Sequence, residues 1–154
     1  MKSFGIALAG YILMFVVLYA TLTVLYFALG TERTFLPGSY AVTPLWIAVF
    51  CVVQFNSGLS AGIVVSKLSS DRKIPLILAT MTLVFGLLMA LAATQGTVSG
   101  TVHDAIPRDG SLTNMQAMMQ AQTPVWIQLI APALAALGVI AGATLLSVAG
   151  RRRA

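Results

Sequence analysis

Thr43-Pro44-Leu45-Trp46-Ile47 recurs at an offset of 80 residues as Thr123-Pro124-Val125-Trp126-Ile127. Each copy opens a long apolar run and is followed at the same distance by Gly-x-x-x-Gly. Gly58 and Gly62 lie twelve and sixteen residues after Trp46, and Gly138 and Gly142 lie twelve and sixteen after Trp126. Aligned without gaps, Thr43–Lys73 and Thr123–Arg153 share Thr, Pro, Trp, Ile, Gly, Ala, Gly and Arg. Part of this follows from general rules. A threonine before proline starts a helix well, because its hydroxyl caps and proline at the first helical position loses no needed hydrogen bond. The shared spacing to both glycines is not dictated by such rules. Duplication and convergence both remain open. If the copies are equivalent, the chain is two similar helical hairpins of one orientation, related by an axis along the membrane normal.

The solvent follows from composition. Hydrophobic residues are 58% of the 154 and charged residues 8%, against about 45–50% and 25% in a soluble domain. Folded in water, such a chain would expose large apolar patches. Uncharged runs at about 4–29, 45–66, 74–94 and 125–149 each meet the ~20 residues a helix needs to cross hydrocarbon. The expectation is an all-α integral membrane four-helix bundle, a single membrane domain over 1–154. The first run is too long for a signal-peptide core of about 7–15 residues and reads as a retained anchor.

Charge sets orientation. Of nine Lys and Arg, seven lie at Lys2, Lys67, Arg72, Lys73, Arg151, Arg152 and Arg153, and the other two are Arg33 and Arg108. The positive-inside rule puts both termini and the Ser66–Lys73 loop in the cytoplasm. The basic clusters abut apolar runs, so they read as membrane flanks rather than a nucleic-acid surface. Trp46 and Trp126 then fall at the outer interface, where indole rings anchor at headgroup level.

Several chemistries are excluded. None of the four runs contains Asp, Glu, Lys, Arg or His. Proton-coupled pumps and small drug exporters use an ionisable group at depth. A bis-histidine haem needs paired histidines, and the single histidine, His103, is in a loop. Cys51 has no partner cysteine. No catalytic centre and no cofactor are expected.

What remains is neutral. Tyr11, Phe15, Tyr19 and Tyr26 fall near one face of the first span, an aromatic stripe that reads as packing before it reads as a pigment or quinone site. Tyr19, Gln54, Asn56 and Ser57 lie at similar depth. Unpaired, each buried polar group costs about 1–3 kcal/mol, so a shared hydrogen-bonded cluster is expected. The glycine pairs let another backbone approach closely, either within the bundle or across to another subunit. Pro132 removes one backbone hydrogen bond and predicts a kink near Gln128.

Outside the spans, Pro37-Gly38-Ser39 marks a turn. The longer outer loop, 97–124, is expected to carry a short surface helix at about 111–122, with methionines toward lipid or the bundle. Met115, Met118 and Met119 with His103 offer a weak soft-metal alternative; otherwise no metal is expected.

Leu36-Pro37-Gly38-Ser39-Tyr40, then Trp46, then the small-residue run Gly58–Gly62 before a basic loop, resembles uncharacterised small bacterial four-span integral membrane proteins. The resemblance covers about the first 95 residues. It implies a bacterial inner membrane and carries no activity. The functional expectation is a non-enzymatic membrane protein acting through helix–helix contacts, as an accessory subunit or a homo-oligomer. Its partners would be the bilayer and other membrane chains or itself, with no nucleic acid. The alternative is a dimeric transporter of a neutral solute or lipid.

Overall fold

The computed structural model describes residues 2–69, 71–98, 117 and 121–151. The described residues form five helices: α1 (Lys2–Leu29), α2 (Thr31–Thr34), α3 (Pro44–Leu68), α4 (Lys73–Val98) and α5 (Val125–Arg151). Four of them, all but α2, are long and apolar enough to cross a membrane. The expected runs at 4–29, 45–66, 74–94 and 125–149 match these helices closely. α4 continues past residue 94, through Gly96, to Val98.

Close contacts give the directions of the helices. A Cβ on Gly10 of α1 would strike Val65 near the end of α3, and Tyr26 near the end of α1 meets Trp46 at the start of α3, with ring centroids 6.0 Å apart. The two helices are therefore antiparallel. The Gly10 position is also crowded by Leu78, and Thr82 Oγ1 lies 3.9 Å from Met14 Sδ, so α1 and α4 run parallel. α4 meets α5 in the opposite sense: Leu76 and Ile140 line one cavity, while Gly86 abuts Pro132. The start of α1, the end of α3, the start of α4 and the end of α5 thus share one end of the bundle. Lys67, Arg72 and Lys73 lie there; we call it the basic end.

Two apolar clusters fill the interior. The one nearer the basic end includes Ala7, Met14, Val65, Leu78, Ala135 and Val139. The one nearer the far end includes Leu22, Tyr26, Phe35, Tyr40, Trp46 and Val53. The latter is closed by the segment joining α1 to α3, which is a folded cap and more than a turn. Leu36-Pro37-Gly38-Ser39 reverses the chain, with Ser39 N–H donating to Leu36 O at 3.2 Å. Gly38 has φ +72°, the left-handed value that the third residue of a type II turn requires, after proline at the second. The cap is pinned by Thr43 N–H to Thr34 O at 2.8 Å and by the Thr43 hydroxyl to Arg33 O at 2.7 Å. It also reaches the end of the second far-end loop: Gln122 N–H donates to Tyr40 O at 2.9 Å, and Val42 N–H to Gln122 O at 3.3 Å.

α5 is continuous through Pro132. A Cβ on Gly86 would lie 2.6 Å from Pro132 Cβ, so the missing side chain makes room for the ring. Here proline, which costs an intrahelical hydrogen bond, serves as a packing element against α4.

Candidate functional site

The α3–α5 seam brings the two glycine pairs together. A Cβ on Gly58 would overlap the Ala135 carbonyl, and one on Gly62 the Val139 carbonyl. Reciprocally, a Cβ on Gly138 would overlap the Phe55 carbonyl, and one on Gly142 the Leu59 carbonyl. Residue numbers rise together, so the helices are parallel. Subtracting 80 from 135 and 139 gives 55 and 59, the residues that the other glycine pair meets. In this seam α3 and α5 exchange contacts at equivalent positions of the sequence repeat. Without glycine the backbones could not come this close, and dispersion contact along the seam would fall. All four glycines are buried within the chain, packed between α3 and α5.

The two copies of the Thr-Pro-x-Trp-Ile motif are used differently. In the first, the Thr43 hydroxyl accepts from Trp46 N–H at 3.2 Å and caps α3. In the second, Pro124 O accepts from Ile127 N–H at 3.0 Å, and Thr123 O accepts from Gln128 Nε2 at 3.3 Å. The tryptophans also part company. Trp126 is 55% exposed, as an interface anchor would be, whereas Trp46 is 8% exposed. Trp46 stands at the start of α3, at the far end, but is enclosed there: Tyr26 of α1 meets it edge-on and the far-end cluster surrounds it.

The expected cluster of Tyr19, Gln54, Asn56 and Ser57 does not form. Ser57 donates to Gln54 O at 2.8 Å and Asn56 Nδ2 to Val52 O at 2.8 Å, both within α3. Gln54 is buried, with Oε1 lacking a hydrogen-bond partner. Tyr19 is 59% exposed. Equal depth is satisfied, since Tyr19 is nine residues beyond Gly10 and Asn56 nine before Val65. Helix rotation is not: both Tyr19 and Asn56 point out of the bundle, and local backbone carbonyls serve the α3 donors instead.

The aromatic stripe is real as far as Tyr19. Tyr11 meets Phe15 edge-on at 4.9 Å, Phe15 stacks on Tyr19 at 6.0 Å, and Tyr11 approaches Phe85 of α4 at 6.3 Å. Tyr26 leaves this ladder for the far-end cluster, where it contacts Phe35 and Trp46. The ladder lies on the outer side of α1 beside α4, with Tyr11 and Phe15 half-buried and Tyr19 outward.

Among the described residues no group of three or more His, Cys, Asp or Glu could hold a metal ion. Met115, Met118, Met119 and His103, with most of the expected 111–122 helix, lie outside the described residues. Of that segment, Ala117 is helical and buried, and Gln122 pairs with the cap. Cys51 is half-buried. Comparison with protein-family models, curated proteins and solved structures finds no match.

Proposed function

We propose that this chain is a non-enzymatic multi-pass protein of the bacterial inner membrane that works by lateral contact with other membrane-spanning chains, as an accessory subunit or a homo-oligomer. The basic end is assigned to the cytoplasm, with both termini, by its excess of Lys and Arg. The reciprocal seam supports reading the chain as two similar hairpins.

With both glycine faces spent inside the bundle, the contact surface must lie elsewhere, and α1 is the best candidate. Only 22% of its most apolar window is buried, against 33–39% in the other three spans. The observation that carries the proposal is Tyr19. It sits ten residues, about 15 Å, from the end of α1 at Leu29. Its hydroxyl makes no hydrogen bond among the described residues, and its ring is already stacked on Phe15. Hydrocarbon offers a phenol no partner, at a cost of about 1–3 kcal/mol. An acceptor on a neighbouring chain removes that cost and fixes the neighbour's rotation.

A photo-crosslinking side chain at position 19, in the intact protein at native expression, is expected to capture a discrete protein band. The same group at Leu137, exposed on α5, is expected to capture lipid. Lipid adducts alone at both positions would sink the proposal and favour the solute or lipid transporter.

A further inference from the structure

The basic end holds a cavity of about 400 Å³ between the last turn of α3, the loop after it, the first turn of α4 and the last turns of α5. Its wall changes character with depth. Ser69, Asp71, Arg72 and Ser147, with Leu146 beside them, contribute toward the basic end, and Leu76, Ala143 and Ile140 further in. From Ser147 to Ile140 is seven residues, about 10 Å along the helix. The wall thus passes from charged and hydroxylated to hydrocarbon over about the distance between a phospholipid headgroup and the start of its acyl chains.

Two further features bear on the occupant. Ser66 lines the cavity, and its Oγ is buried with no hydrogen-bond partner, an unusual state for a native hydroxyl. The charge is also unbalanced. Arg72 and Asp71 both line the wall, and Lys67 and Lys73 flank them in sequence, so the segment 67–73 carries three cations against one anion, a surplus of two. Asp71 is moreover engaged: its Oδ1 accepts from Lys73 N–H at 2.9 Å. Arg72 is exposed on the cavity wall. A topology signal requires only loop charge. It does not require a cavity with a graded wall.

We infer that this cavity binds one anionic phospholipid, with the phosphate at Arg72, glycerol and ester oxygens toward the Ser69 and Thr144 hydroxyls, and an acyl chain along Leu76 and Ile140. Basic pockets between spanning helices recognise anionic headgroups in this way. The inference does not depend on what α1 contacts.

The test is native mass spectrometry of the full chain in a neutral detergent, supplied in turn with phosphatidylglycerol, phosphatidylcholine of the same acyl chains, and inorganic phosphate. Wild type is expected to retain phosphatidylglycerol several-fold better than phosphatidylcholine. Arg72→Gln should bring phosphatidylglycerol down to the phosphatidylcholine level. Ala143→Phe, which fills the cavity from α5, should lower retention of both lipids, and Leu76→Trp does the same from α4 should that variant fold poorly. Equal retention of the two lipids by wild type, or phosphatidylglycerol retention unchanged in Arg72→Gln and in the folded cavity-filling variant, would overturn the inference. So would phosphate that binds in an Arg72-dependent manner while neither lipid is retained, which would mark a site for a small phosphate.

Discussion

Replacing Gly58 with alanine adds one methyl group to the α3–α5 seam, and the geometry sets its cost. The new Cβ would overlap the Ala135 carbonyl. That obstacle is backbone, with no rotamer to change, so the helices must separate by about 1 Å to restore ordinary contact. Overpacking of this kind costs about 1–3 kcal/mol, and a clash with backbone belongs in the upper half of that range. Alanine returns about 0.5–1 kcal/mol of helix propensity. The expected net loss is about 1–2 kcal/mol. Gly138→Ala meets the Phe55 carbonyl in the equivalent way and should lose the same amount. The double variant should lose less than the sum, because separation forced by the first methyl makes room for the second. Gly5→Ala is the control: it is exposed with nothing within 4 Å of its Cβ position, and should be neutral or slightly stabilising. Reversible unfolding in mixed micelles, followed by loss of helicity, reads all four proteins. Gly58→Ala as stable as Gly5→Ala would refute the close approach. Strict additivity in the double variant would refute the shared seam.

Gln54→Leu removes a buried amide whose oxygen has no partner, so stability should rise by about 0.5–2 kcal/mol; a loss in the same micelle assay would show that the amide is satisfied. Thr43→Ala deletes both the α3 cap and the tie to Arg33. It should cost about 1–2 kcal/mol and speed amide exchange in the cap before the spans, which hydrogen-exchange mass spectrometry would detect.

The spans were legible because length and apolarity alone specify a membrane helix. The glycines of the seam were legible through the repeat, which gave their positions and spacing; that the two pairs face each other was not, because spacing along a chain does not name the neighbouring helix. Nor was the rotation of each helix. In a run such as Phe4–Leu29, apolar residues surround the whole helix, since lipid and neighbouring helices favour the same side chains. Nothing in the pattern then tells Tyr19, which faces out, from Tyr26, which faces in. The error over the polar cluster follows directly: depth can be counted along a chain, but direction around it cannot when every direction is apolar. The cap was half legible. Pro37-Gly38 announces its turn through φ preference. The burial of Tyr40 and Trp46 depends on contacts with Tyr26 and Gln122, which no local signal encodes.

The α3–α5 seam has a consequence for biogenesis. Its contacts are isologous in form: the surface that α3 offers at 55, 58, 59 and 62 matches the one it receives at 135, 138, 139 and 142. Yet the two sides are separated by 80 of the 154 residues, so α3 enters the bilayer with its glycine groove uncovered and stays so until α5 is synthesised. During that interval the patch is self-complementary, and the nearest equivalent surface is α3 on another nascent chain. Correct assembly is therefore a race between the covalently tethered α5 and a neighbouring copy. The tether wins through its high effective concentration. A chain truncated before α5 has no such competitor and should pair with itself through the groove that the whole protein keeps closed.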